Sequence, residues 1–176
     1  MRKLKYLIKL LVILFLFPLF PSCGQIIKEN KDSVYSRHLQ KHFDLEILTT
    51  PVPKDKSSYN LLLLNDGQDI AQLRVKDILD SLYRKKLLQP LLIVAINASD
   101  RMQDYGVSGY ADYRNNGALA EKYSEFVDDE LIPFIKKKSG VRKYNSITIA
   151  GSSLGGLSAF DIAWDHADKI DKVGIF

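Results

Sequence analysis

Residues 147–160 read Ile-Thr-Ile-Ala-Gly-Ser-Ser-Leu-Gly-Gly-Leu-Ser-Ala-Phe. The stretch opens on a short apolar run, passes a glycine-flanked turn and ends in residues that suit a helix. Within it, Gly151-Ser152-Ser153-Leu154-Gly155 fits the pattern G-x-S-x-G. A serine that must project from a sharp strand-to-helix turn needs neighbours without side chains, because a Cβ two residues to either side would collide. Gly151, Gly155 and Gly156 meet that need and make Ser153 the candidate nucleophile. Ser153 would then stand at the start of a helix, where free N–H groups and the helix dipole favour a developing oxyanion, with the backbone N–H of Leu154 as one donor. An ordinary structural turn is the competing reading. Phosphate-binding loops fit worse, since no lysine follows at the required place and G-x-G-x-x-G is not matched.

Working outward, two continuous apolar runs precede this one, at 59–64 and 91–96, and each has the composition of a strand covered on both faces. Phe43, Leu45 and Ile47 alternate with Asp44 and Glu46, as in a strand with one face more buried than the other. Between the runs, residues 71–88 carry Leu73, Ile78, Leu79, Leu82 and Tyr83 at helical spacing. Residues 118–138 carry Leu119, Tyr123, Phe126, Val127, Leu131 and Ile135, with Pro133 expected to bend the helix and Ser139-Gly140 to close it. Lys136, Lys137 and Lys138 suit a solvated helix end. Residues 97–116 read as a long polar loop, and 173–176 begin a further strand. Strands alternating with helices of this length predict an α/β fold, a mostly parallel sheet with helices on both faces.

A second oxyanion donor should come from the loop after an early strand. Asp66-Gly67-Gln68 follows the 59–64 run directly, and the backbone N–H of Gln68 is the candidate. Taken alone, Asp66-Gly67 would read as an ordinary turn.

Together these segments resemble a known family. The strand ending in Asp66-Gly67-Gln68, the segment from Ile93 to Gly106, the Glu130-to-Ile135 stretch and the elbow with its extra Gly156 are similar to the putative-esterase (esterase D-like) family of α/β hydrolases. Enterochelin, feruloyl and acetyl esterases and mycolyltransferases are among its members. The resemblance covers residues 35–176 and implies a Ser-His-acid triad, no metal and no organic cofactor. It also places Arg101, Asp104 and Tyr105 near the rim of the site, as a possible substrate contact or as a local ion pair bracing the loop.

The triad partners should follow the serine in the chain. Among the histidines only His166 does, and a continuous helix would carry it about 20 Å from Ser153. Asp161 and Asp165 meet the same objection, while His38 and His42 precede the sheet and read as surface residues. The last residues read as the start of a buried strand. The expectation is therefore a domain incomplete at its C-terminus, with the general base and its acid absent and little turnover from this chain alone.

The N-terminus has a different character. Arg2, Lys3, Lys5 and Lys9 precede the apolar stretch 10–20, and Ser22-Cys23-Gly24 follows. Residues 1–22 are the layout of an export signal, and Cys23, the only cysteine, resembles the lipidated residue of a bacterial lipoprotein. A plain cleaved signal or an uncleaved anchor would share the layout. Residues 23–34 read as a polar tether, and 35–176 as the domain. The remaining 21 basic and 21 acidic residues cancel, so no nucleic-acid partner is expected. These features predict an envelope-anchored serine ester hydrolase acting on a small-molecule or glycan ester. A non-catalytic carbohydrate- or siderophore-binding lipoprotein and an acyltransferase are the alternatives.

Overall fold

The computed structural model describes residues 26–51 and 59–176. Six strands form one sheet: β1 (Lys28–Ser36), β2 (Lys41–Thr49), β3 (Asn60–Asn65), β4 (Leu91–Ile96), β5 (Ile147–Gly151) and β6 (Lys172–Ile175). Their order is β1-β2-β4-β3-β5-β6. The three apolar runs pair in parallel as expected, with Leu61 opposite Leu92 on one side and opposite Ile147 on the other. β6 continues the parallel series, whereas β1 and β2 form an antiparallel hairpin at the opposite edge.

The alternation of side chains along β3 divides the interior in two. Leu61 and Leu63 join Val94, Ile96, Phe126, Leu131, Ala159 and Ile162 on one face. Leu62 and Leu64 lie on the other, with Ile70, Leu79, Ile93 and Ala95. Helix α1 (Val75–Arg84) covers that second face, while the segment Ala120–Ser139 and helix α5 (Leu154–Asp165) cover the first. The two-sided cover explains why these strands are apolar at nearly every position.

Three expectations need correction. The tether proposed for 23–34 is a strand from Lys28 onward, and Ile27 is already buried with its N–H donated to Asp80 Oδ1 at 2.9 Å. The charged residues Lys28, Glu29, Lys31 and Asp32 suit an exposed sheet edge, where charge discourages pairing with another chain. Helix α1 is shorter than 71–88. Left-handed Arg74 (φ 53°) ahead of it resets the helical phase, so Leu73 and Ile78 face solvent and Leu79 is buried. The single bent helix at 118–138 is instead α3 (Ala120–Glu125), a π-helical stretch (Phe126–Leu131) and α4 (Ile132–Ser139). Pro133 lies in the first turn of α4, where its missing N–H breaks the α-helical ladder least, and the wider winding takes up the mismatch. Gly140 closes α4 in the left-handed conformation, as its position implied. The polar loop 97–116 contains the short helix α2 (Arg101–Asp104).

Candidate active site

In an open parallel sheet, a crevice forms where the connections from two neighbouring strands leave toward opposite faces. β3 leads to α1 on one face, and its neighbour β5 leads to α5 on the other. The crevice therefore lies at the ends of β3 and β5, between Asp66-Gly67-Gln68 and Ser152-Ser153.

Ser153 is the turn residue between β5 and α5, with φ 52° and ψ −122°, a conformation that side chains resist. It is exposed. Its N–H donates to the Phe176 carbonyl at 2.8 Å, and the Phe176 N–H donates to the Gly151 carbonyl at 3.1 Å, so β6 holds the turn from one side. Close approach on the inner side requires the glycines. A Cβ on Gly151 would overlap the Gly155 carbonyl group, and one on Gly156 would come within 2.9 Å of the Gly151 oxygen. A Cβ on Gly155 would lie 2.5 Å from Asp66 Oδ2.

That last contact shows the two loops touching. Asn65, at the end of β3, ties them further by donating from Nδ2 to the Gly155 carbonyl at 2.8 Å, while its Oδ1 accepts from Tyr123 Oη at 2.8 Å. Asp66 is itself left-handed (φ 59°), and Gly67 fits only because it lacks a Cβ, which would meet Asn97 Oδ1 and the Ala95 backbone. The N–H groups of Gln68 and Leu154 donate to no acceptor among the described residues. Both are thus available to an oxygen in the crevice.

The rim assignment is corrected for two residues of three. Asp104 and Tyr105 are each 0% exposed. Asp104 accepts from Lys41 Nζ at 2.6 and 2.8 Å, and the Tyr105 hydroxyl accepts the Asp66 N–H at 3.0 Å. Burial pushes the Tyr105 phenol well up. Arg101 remains half-buried, but its guanidinium is directed inward, donating to Asp66 Oδ1 at 3.0 Å and Oδ2 at 3.2 Å. No ion pair joins Arg101 to Asp104; Arg101 takes its partner from the loop after β3 and Asp104 from β2.

The three histidines of the sequence are all engaged elsewhere. His38 faces Glu125 and Asp129, and His42 meets Ser33 and the Tyr35 ring. His166 caps the far end of α5, bonded to Ser124 Oγ at 3.0 Å and facing Asp128. Asp161 accepts from Ser108, which ties loop 105–117 to α5. Sequence reading missed Lys41, Asn65 and Tyr123 as supports of the crevice, since each acts across the fold rather than along the chain. Among the described residues, no group of three or more His, Cys, Asp or Glu side chains is arranged to hold a metal. Cys23 lies outside the described residues.

Comparisons with solved structures agree with the fold. Solved structures similar to the chain include an enterochelin esterase from Shigella flexneri (24% identity, TM-score 0.67, covering 84% of this chain and 35% of that one). An IroE-like serine hydrolase from Shewanella oneidensis matches at 21% identity and TM-score 0.70, over 83% of this chain and 49% of its own. A ferulic acid esterase matches at 25% identity and TM-score 0.63, over 85% and 58%. The chain thus spans between a third and three fifths of the length of these structures. No curated protein matches it at a significant level. The profile of the family described as "Putative esterase" matches residues 39–176, and the chain belongs to that family.

Proposed function

We propose that the chain carries the acyl-transfer centre of a serine ester hydrolase, with Ser153 as nucleophile and the N–H groups of Leu154 and Gln68 as oxyanion donors. The observation that carries the reading is the left-handed backbone of Ser153, kept at a strand-to-helix turn by three glycines that leave no room for a Cβ. Such strain persists only where surrounding structure enforces it. In the reaction, Ser153 Oγ bonds to the ester carbonyl carbon and its proton passes to a general base. The bond to the alcohol then breaks as that proton is delivered to the leaving oxygen. Water attacks the acyl-enzyme by the same route in reverse and frees the acid. With His38, His42 and His166 committed elsewhere, the general base is not a histidine of this chain, and the chain by itself turns over slowly. The substrate class is a small-molecule or glycan ester.

Fluorophosphonate labelling and p-nitrophenyl acetate hydrolysis by the native-length protein test the assignment. Ser153→Ala should remove both, by a factor of about 10⁴ or more for turnover, with folding intact. Labelling of any other serine would refute it.

We also propose that Cys23 is diacylated and anchors the protein to a bacterial envelope membrane. Ile26 is already hydrogen-bonded to Asp80 of α1, so at most about 10 Å of extended chain would separate domain and anchor. Labelling with a palmitate analogue that persists after Cys23→Ala would rule this out.

A further inference from the structure

The oxyanion loop contains a charge that ought to oppose catalysis. Asp66 is 7% exposed, and its Oδ2 lies against Gly155 in the first turn of the helix that Ser153 begins. A carboxylate beside the point where an alkoxide forms repels the negative charge that the two N–H donors are there to stabilise. The residue cannot simply be read as a turn former, because three groups converge on it with four hydrogen bonds. Arg101 grips both oxygens, Gln68 Nε2 donates to Oδ1 at 3.0 Å, and the Tyr105 hydroxyl accepts its N–H. Tyr105 packs edge-on against Tyr123 at 5.2 Å between ring centres, and Tyr123 in turn holds Asn65. Gln68 is fixed at its other end by accepting the Ala98 N–H at 3.2 Å.

We propose that Arg101 is a positioning residue for the esterase reaction: it neutralises Asp66 and, with Tyr105, locks the left-handed turn that presents the Gln68 N–H to the oxyanion. The inference rests on Ser153 being the nucleophile. Arginine suits the task because its planar fork bonds both carboxylate oxygens and it stays charged at every working pH. The bond to Asp66 raises the guanidinium's proton affinity further. Arg101 touches no reacting atom in this account. Its effect is on the charge and geometry that the transition state meets.

A purely structural brace would behave differently from an electrostatic one, and a charge-compensated pair separates them. Steady-state p-nitrophenyl acetate kinetics should be measured on the native-length protein and its Arg101→Gln, Arg101→Lys, Asp66→Asn/Arg101→Gln and Ser153→Ala variants. Arg101→Gln should lower kcat roughly 10- to 100-fold, the scale of losing most of one oxyanion donor, with KM changed less than about threefold. Arg101→Lys should keep more activity, having the charge without the fork. The double variant should recover about tenfold or more over Arg101→Gln, since no uncompensated carboxylate remains. If Arg101→Gln fails to fold, the double variant still decides: kcat within about tenfold of wild type supports the proposal, and a deeper loss overturns it. Wild-type kcat in Arg101→Gln beside an inactive Ser153→Ala would overturn the proposal and leave the nucleophile standing. An active Ser153→Ala would overturn both.

Discussion

The two ends of helix α5 make opposite use of a serine. At its start Ser153 stands on a strained turn with two free N–H groups nearby and no histidine within reach. At its far end Ser124, His166 and Asp128 lie in hydrogen-bond order, with Ser124 Oγ 3.0 Å from His166 Nε2 and His166 Nδ1 3.5 Å from Asp128. By residue type the second group is the more complete triad. Yet Ser124 is only 3% exposed, lies inside a helix whose N–H groups are consumed by the helix itself, and has no turn to lift its hydroxyl out. Asp128 is also held by Lys169 at 2.6 Å. The far cluster is a clamp between α3 and the end of α5, and the near one is the turn proposed above as the reaction centre. Backbone geometry, more than the inventory of side chains, separates the two.

Breaking the near end should have the largest effect. Gly151→Ala forces a methyl group into the Gly155 backbone, and neither flexible side chain nor solvent is there to yield. The variant should lose about 3 kcal/mol or more of stability and all fluorophosphonate labelling. Chemical denaturation and labelling check the two effects separately. Retained labelling would mean that the elbow tolerates bulk and is no elbow.

Asp128→Asn strikes the far end. It removes the carboxylate that holds Lys169 and faces His166, and should cost about 1–3 kcal/mol while the folded fraction labels at the wild-type rate. The hydrogen bond to Asp128 raises the Lys169 amine above its ordinary value. A raised lysine adds stability below its unfolded pKa and loses it as pH climbs through the folded one. The Lys169 share of the difference should therefore be constant near neutrality and fade only above about pH 10.5. Since that amine is half exposed, the share is small. Ser124→Ala, removing one hydrogen bond to His166, should cost about 1 kcal/mol with labelling unchanged. A drop in labelling rate from either variant would show that the two ends communicate.

What the sequence made legible follows from the range of each interaction. Strands β3, β4 and β5 declare themselves because two-sided burial makes nearly every residue apolar, and the elbow does so because its steric demands fall on neighbouring positions. β1 was unreadable for the converse reason: an edge strand with solvent on one side can be as charged as a tether. The winding change at Phe126–Leu131 leaves no signature beyond Pro133. Arg101 meets Asp66 across 35 positions and Lys41 meets Asp104 across 63, distances at which pattern carries no information. One clue was present. Asp66 and Arg101 both follow apolar runs, and if those runs pair in parallel as neighbours, the loops that carry the two charges leave the sheet at the same end.

Between its ends, α5 presents Leu157, Phe160 and Trp164 outward at helical spacing, and this stretch should respond least of all. Trp164 is the largest side chain on the helix, so a count of apolar residues would rank it first for stability. Its position argues otherwise: it is 74% exposed, and its ring contact is Phe160 at 6.0 Å between centres. A side chain that leaves most of its surface in water returns little of the burial energy that makes tryptophan costly to remove elsewhere. Trp164→Gln in the 176-residue chain should thus shift stability by less than about 0.5 kcal/mol, read from the urea midpoint. A loss above about 1 kcal/mol would mean that the stripe is packed rather than open, and that the helix is held along its length as well as at its two ends.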